Sequence, residues 1–168
     1  MSPTPIDILT IPPCRIIRDY LIEAFLGVAY DEDTDWSIAV AATPEKPINV
    51  ITIFDEASTK QYRSHDQAGG AGAGFQYGGG VHENYGIVIE IRSNSYVDGW
   101  MKALLLMMCM DKLHRWEWTG SAAGYPEQVA VFSTAIRQRG IFPLGKDENG
   151  KWLFNLEYEL VLQSLNRT

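Results

Sequence analysis

Residues 151–162, KWLFNLEYELVL, alternate more cleanly than any other stretch of the chain. Trp152, Phe154, Leu156, Tyr158, Leu160 and Leu162 fall on one side, while Asn155, Glu157 and Glu159 fall on the other. Successive side chains of a strand point to opposite faces, so this is a strand with one buried and one polar face. Working backward, Gly145, Asp147 and Gly150 punctuate the segment LGKDENG. Glycine tolerates positive φ and an aspartate between two glycines can accept backbone N–H groups, so these three residues predict a shaped turn that sets strand register. Before it, QVAVFSTAIRQRG (128–140) reads as the strand on the other side of that turn.

Further toward the N-terminus, YGIVIEIRS places Tyr85, Ile87, Ile89 and Ile91 on one side and Val88, Glu90 and Arg92 on the other, a second half-buried strand. From Tyr96 to Trp116 the pattern predicts a long helix, apolar through its middle and packed on the sheet. Two short alternating runs, 36–41 and 48–55, flank TPEKP, and the two prolines of that connection suggest a hairpin. IPPCRIIRDYLIEAFLG predicts an amphipathic helix, with Cys14, Ile17, Leu21, Phe25 and Val28 on its apolar face and Pro13 in its first turn. The expected fold is one α+β domain over residues 1–168, with a mostly antiparallel sheet and helices packed on one face.

Composition narrows the function classes. A chain of 168 residues with 46% apolar residues can bury a core of its own. Its formal charge of −7 is spread along the sequence and opposes adhesion to nucleic acid. The longest apolar run, ALLLMMCM, is far shorter than the roughly 20 residues of a membrane-spanning helix. Prolines interrupt MSPTPIDILTIPP, so a secretory signal is not indicated and an intracellular product is expected. Cys14 and Cys109 are far apart and suggest buried thiols, with no zinc site or disulfide framework.

The motifs that resemble chemical sites fail position by position. AGGAGAGFQYGGG (68–80) lacks the third glycine of a dinucleotide fingerprint and the Lys-Ser/Thr of a phosphate loop, and it precedes a strand. We read about 59–83 as a glycine-rich arm, flexible or ordered by a partner, with Phe75 and Tyr77 as its docking residues and a disordered loop without a role as the alternative. Asp31, Asp33 and Asp35 have the alternation of a calcium loop, but Trp36 and Ala42 occupy its glycine and glutamate positions, which leaves a solvated loop. His82 has no second histidine at helical spacing, and Asp98, His114 and Ser121 are joined as a triad by residue type alone. No catalytic, cofactor or metal residue is assigned. Trp100, Trp116 and Trp118 predict packing or a subunit interface, with a ligand pocket as the alternative.

The stretch RGIFPLGKDENGKWLFNLEYELVL (139–162) resembles the small tail-terminator or minor capsid proteins of long-tailed bacteriophages, through Gly145, Asp147, Gly150, Phe154 and Asn155. The order of elements, a helix, a hairpin, a strand after a variable loop and a long helix, is similar to theirs. The resemblance implies a structural virion protein without enzymatic activity, assembled in the host cytoplasm. It would form a ring, commonly of six copies, that caps the tail tube, meets a head-completion or connector protein, and lets genomic DNA pass without specific binding. A ring of six would carry about 42 negative charges, which suits passage of DNA. A small intracellular enzyme or ligand-binding domain is the alternative reading.

Overall fold

The computed structural model describes residues 9–56, 83–125 and 127–167. Along the chain lie α1 (Pro13–Glu23), β1 (Val28–Ala29), β2 (Ser37–Val40), β3 (Val50–Asp55), β4 (Glu83–Ser93), α2 (Tyr96–Asp111), β5 (His114–Gly120), β6 (Gln128–Lys146) and β7 (Trp152–Arg167). The described strands form one seven-stranded sheet in the order β1-β2-β3-β4-β7-β6-β5. This is an α+β fold in which all pairings are antiparallel except β1 with β2 and β2 with β3.

The alternating stretch 151–162 falls in an interior strand of this sheet. β7 lies between β4 and β6, and its register sets Ile91 beside Phe154, Ile89 beside Leu156 and Ile87 beside Tyr158. All six of these side chains are fully buried. Burying each contributes roughly 1.5–3 kcal/mol relative to exposure, so this triple row anchors the sheet. Its core is continuous with Ile51 and Ile53 of β3, with Ile16, Ile17 and Leu21 of α1, and with Ala103, Leu106 and Met110 of α2.

Side chains fix the helices to the sheet. Pro13 starts α1, and the backbone N–H of Cys14 donates to Asp55 Oδ1 at the end of β3 at 2.8 Å. A carboxylate there satisfies one of the orphan donors of the first turn and complements the helix dipole. Ser95 caps α2 by accepting from Asp98 N, and Gly99 lets α2 approach β7 so closely that an added Cβ would meet the Phe154 ring at 2.5 Å. Tyr20 of α1 donates its hydroxyl proton to the Cys109 carbonyl of α2, tying the helices together.

Several expectations are corrected. The two runs around TPEKP do not form a hairpin; β2 and β3 pair in parallel, Ser37 beside Val50 and Val40 beside Ile53. Their connection crosses over β3 and β4 and is held by Arg92, which the alternation had placed on a polar face. Arg92 is buried, and its guanidinium donates to the carbonyls of Glu45, Pro47 and Ile48. The second helix ends at Asp111, short of Trp116; Arg115 takes a left-handed φ of 46° and the chain continues as β5, the strand that periodicity merged into the helix. α1 stops at Glu23, so Phe25 and Val28 are not on its apolar face: Phe25 has φ 60° and is 93% exposed, and Val28 begins β1.

Candidate interaction surfaces

The predicted turn lies between β6 and β7. Gly145 and Gly150 take φ of 95° and 74°, and Asp147 Oδ1 accepts from Asn149 N at 2.9 Å and Lys151 N at 2.8 Å. The Asp147 N–H donates to the Lys151 carbonyl, closing the loop. One carboxylate thus organises the reversal, and β7 leaves it in the register that buries Phe154 and Leu156.

Residue types that might carry chemistry are dispersed. His114 opens β5 and Ser121 follows its last residue, which separates them by roughly 20 Å at the usual rise of a strand, so no triad with Asp98 forms. Asp31, Asp33 and Asp35 occupy an exposed loop in which Asp31 Oδ1 accepts from Asp33 N. Among the described residues no cluster of histidine, cysteine or acidic side chains is arranged to hold a metal. Burial, and then Asp55, push the Cys14 thiol up to about 12, and burial also raises Cys109. Burial first, and Asp111 second, raise the Tyr158 phenol, whose hydroxyl lies 2.9 Å from Asp111 Oδ1 and 3.2 Å from the Met107 carbonyl. Such groups stay protonated at neutral pH, and the Tyr158 hydroxyl serves as a tie between β7 and α2. No described helix is long and apolar enough to cross a membrane.

The tryptophans divide between two places. Trp118 Nε1 donates to Asp19 and Trp116 Nε1 to Glu23, so both tie β5 to α1, with Trp116 also edge-on to Tyr20. Trp100 sits on α2 against Tyr96 and Phe154. Beside it, Tyr96, Val97, Trp100 and Met101 line an open apolar groove of about 230 Å³. That is smaller than the roughly 300–1,000 Å³ of ligand pockets, and no polar side chain converges on it.

What stands out is exposed apolar surface. Only one stripe of α2 is packed inward; Val97, Met101, Leu105 and Met108, spaced at i, i+4, i+8 and i+11, are 46–66% exposed. Their spacing makes them one outward row three turns long. A helix apolar on every side is the sequence signal for such an outward apolar face, and the reading of residues 96–116 as a core helix missed it. Two further apolar places lie at the margins of the sheet. Phe25, Val28, Asp35, Trp36 and Lys102 line a groove of about 230 Å³ beside β1. Ile136, Phe142 and Leu144 are exposed on the second half of β6. Phe75 and Tyr77, the expected docking residues, lie outside the described residues, as does most of the 59–83 arm.

Compared with known protein families and with curated proteins, the chain has no match in either.

Proposed function

We propose that this chain is a structural virion protein, a tail terminator that caps the tail tube of a long-tailed phage as a homo-oligomeric ring and joins tail to head. The observation that carries the reading is the outward row of α2. Val97, Met101, Leu105 and Met108 place on solvent a face that a second protein would bury, with the charged Asp98 and Lys102 set to one side of the row. Contiguous exposed apolar surface of this kind marks an interaction site. The resemblance of residues 139–162 to tail terminators names the kind of assembly, and the Asp147 turn that these residues contain is built between two long strands. In this reading α1 and α2 form one layer on a single face of the sheet, the Trp152-to-Leu162 face of β7.

The partners that follow are further copies of the chain in a ring of six, the tail tube protein, and a head-completion or connector protein. DNA passes without specific binding, in keeping with the net negative charge. Assembly takes place in the host cytoplasm, no membrane is involved, and the chain has no catalytic role or cofactor.

Electron microscopy of the purified protein, alone and mixed with tail tubes, tests this. Rings at tube ends, and loss of infectious particles when the chain is removed, are the expected results. A protein that never binds tubes, and whose melting temperature rises instead with a common nucleotide or sugar, would replace the reading with that of a ligand-binding domain.

A further inference from the structure

We infer that copies of this chain associate head to tail, the free half of β6 in one subunit docking on the Phe25–Val28 groove beside β1 of the next. This deepens the ring reading above, and rests on it for the identity of the partner as a second copy. Strand register places the two surfaces at opposite margins of one sheet. Val28 pairs with Ser37, Ser37 with Val50, Val50 with Arg92, Arg92 with Leu153, and Leu153 with Gly145. Five strand spacings along this row separate β1 from β6 by about 24 Å measured along the sheet.

Neither margin is covered at that level by another described strand. β5 pairs with β6 only over Gln128–Thr134, so Ala135–Lys146 has β7 on one side and an open edge on the other. At the opposite margin β1 is two residues long, and Phe25 beside it stands almost wholly in solvent. Long unpartnered edges with apolar side chains are a hazard unless a specific neighbour takes them. A twofold dimer would need one self-complementary patch, whereas two different patches at opposite margins make a heterologous contact, which closes into a ring when its rotation permits.

Charge selects the second copy as occupant. The groove adjoins Asp31, Glu32, Asp33 and Asp35, all exposed, which outnumber the single lysine of its lining, Lys102, held over the Trp36 ring. The free half of β6 carries Arg137, Arg139 and Lys146; the two arginines reach acidic neighbours of their own chain only at 3.7 and 3.6 Å and are about half exposed. An acidic margin and a basic one on the same molecule steer copies into one orientation and oppose contacts between like margins.

Two variants test this by sedimentation: Phe25→Asp, which spoils the groove, and Phe142→Asp/Leu144→Asp, which spoils the β6 edge. Each alone should sediment as a monomer where the wild type forms a larger species, and an equal mixture should give a heterodimer and nothing larger, since only one intact groove meets one intact edge. If either variant alone still forms the wild-type species, if the mixture stays monomeric, or if the wild type is itself monomeric at the highest concentration reached, the head-to-tail contact is wrong. A wild type that grows into open chains of no fixed size supports the contact and overturns the closed ring. Should an apolar-to-Asp variant melt early, the pair Asp33→Lys/Asp35→Lys and Arg139→Glu/Lys146→Glu replaces it, with a mixture that should restore the wild-type species, since both of its contacts again join opposite charges. The two charge variants should associate with each other, and neither with itself.

Discussion

The Cys14 backbone N–H and the Asp55 carboxylate meet at 2.8 Å, so the last residue of β3 serves as the N-terminal cap that α1 lacks in its own sequence. Losing a side-chain cap costs about 0.5–2 kcal/mol, and Asp55→Ala should lower stability by that amount in a denaturant titration. The same burial keeps the Cys14 thiol neutral. With its folded pKa at about 12 against an ordinary 9.0, the thiol ionises in the unfolded chain first. Stability should therefore hold below about pH 9 and fall as pH rises from there toward 12. Cys14→Ala should flatten that decline, and a decline of the same size in the variant would assign it to other groups.

Leu156 and Glu157 are neighbours on β7 with opposite surroundings. Leu156 is fully buried beside Ile89, whereas Glu157 faces away and meets Arg139 at 3.6 Å. Leu156→Ala should cost about 2–5 kcal/mol, which in a chain of this size lowers Tm by roughly 5–20 °C. Glu157→Ala removes only a partly exposed ion pair and should change stability by less than about 1 kcal/mol. Calorimetry on both variants separates them.

Asp147 and Gly150 test the turn. Asp147→Ala removes the acceptor of two backbone N–H groups and should cost about 1–2 kcal/mol. Gly150→Ala puts a Cβ into open space but at φ 74°, so its cost of about 1–2 kcal/mol is one of backbone strain alone. Thermal melts check both, and Asp147→Asn, which retains a carbonyl acceptor, should lose less than Asp147→Ala.

On α2, Leu105→Glu should leave Tm almost unchanged because the side chain is already 46% exposed. It should abolish joining to tails, scored by complementation for infectious particles. Leu106→Ala, one residue on and fully buried, should do the reverse: lower Tm by several degrees and, below its melting point, leave joining intact.

The central strands were legible because one of their faces is buried and the other is polar, which writes a period of two into Trp152–Leu162 and Tyr85–Ile91. The parallel pairing of β2 with β3 left no such trace. Alternation is the same in either direction, and the choice depends on Arg92, about 45 residues beyond the connection it holds. The end of α2 was hidden for a related reason: Leu113 and Trp116 continue its apolar pattern, while the break falls at Arg115, whose left-handed backbone has no marker in its residue type. Of the candidate surfaces, the turn residues were read from glycine and aspartate chemistry. The outward row of α2 was not, since hydrophobicity alone does not say which side of a helix the core takes.

β7 follows every other described strand in the sequence yet lies inside the sheet, where it alone among the described strands pairs with both β4 and β6. During synthesis the β1–β4 half therefore leaves the ribosome with the apolar row Ile87, Ile89 and Ile91 and the open edge of β4 both unpartnered. Closure spans the 58 residues between Ser93 and Trp152, so it comes late and all at once. A chain cut short before Trp152 should accordingly be captured by chaperones or aggregate as a nascent product, while the full chain passes from incomplete to closed in a single cooperative event.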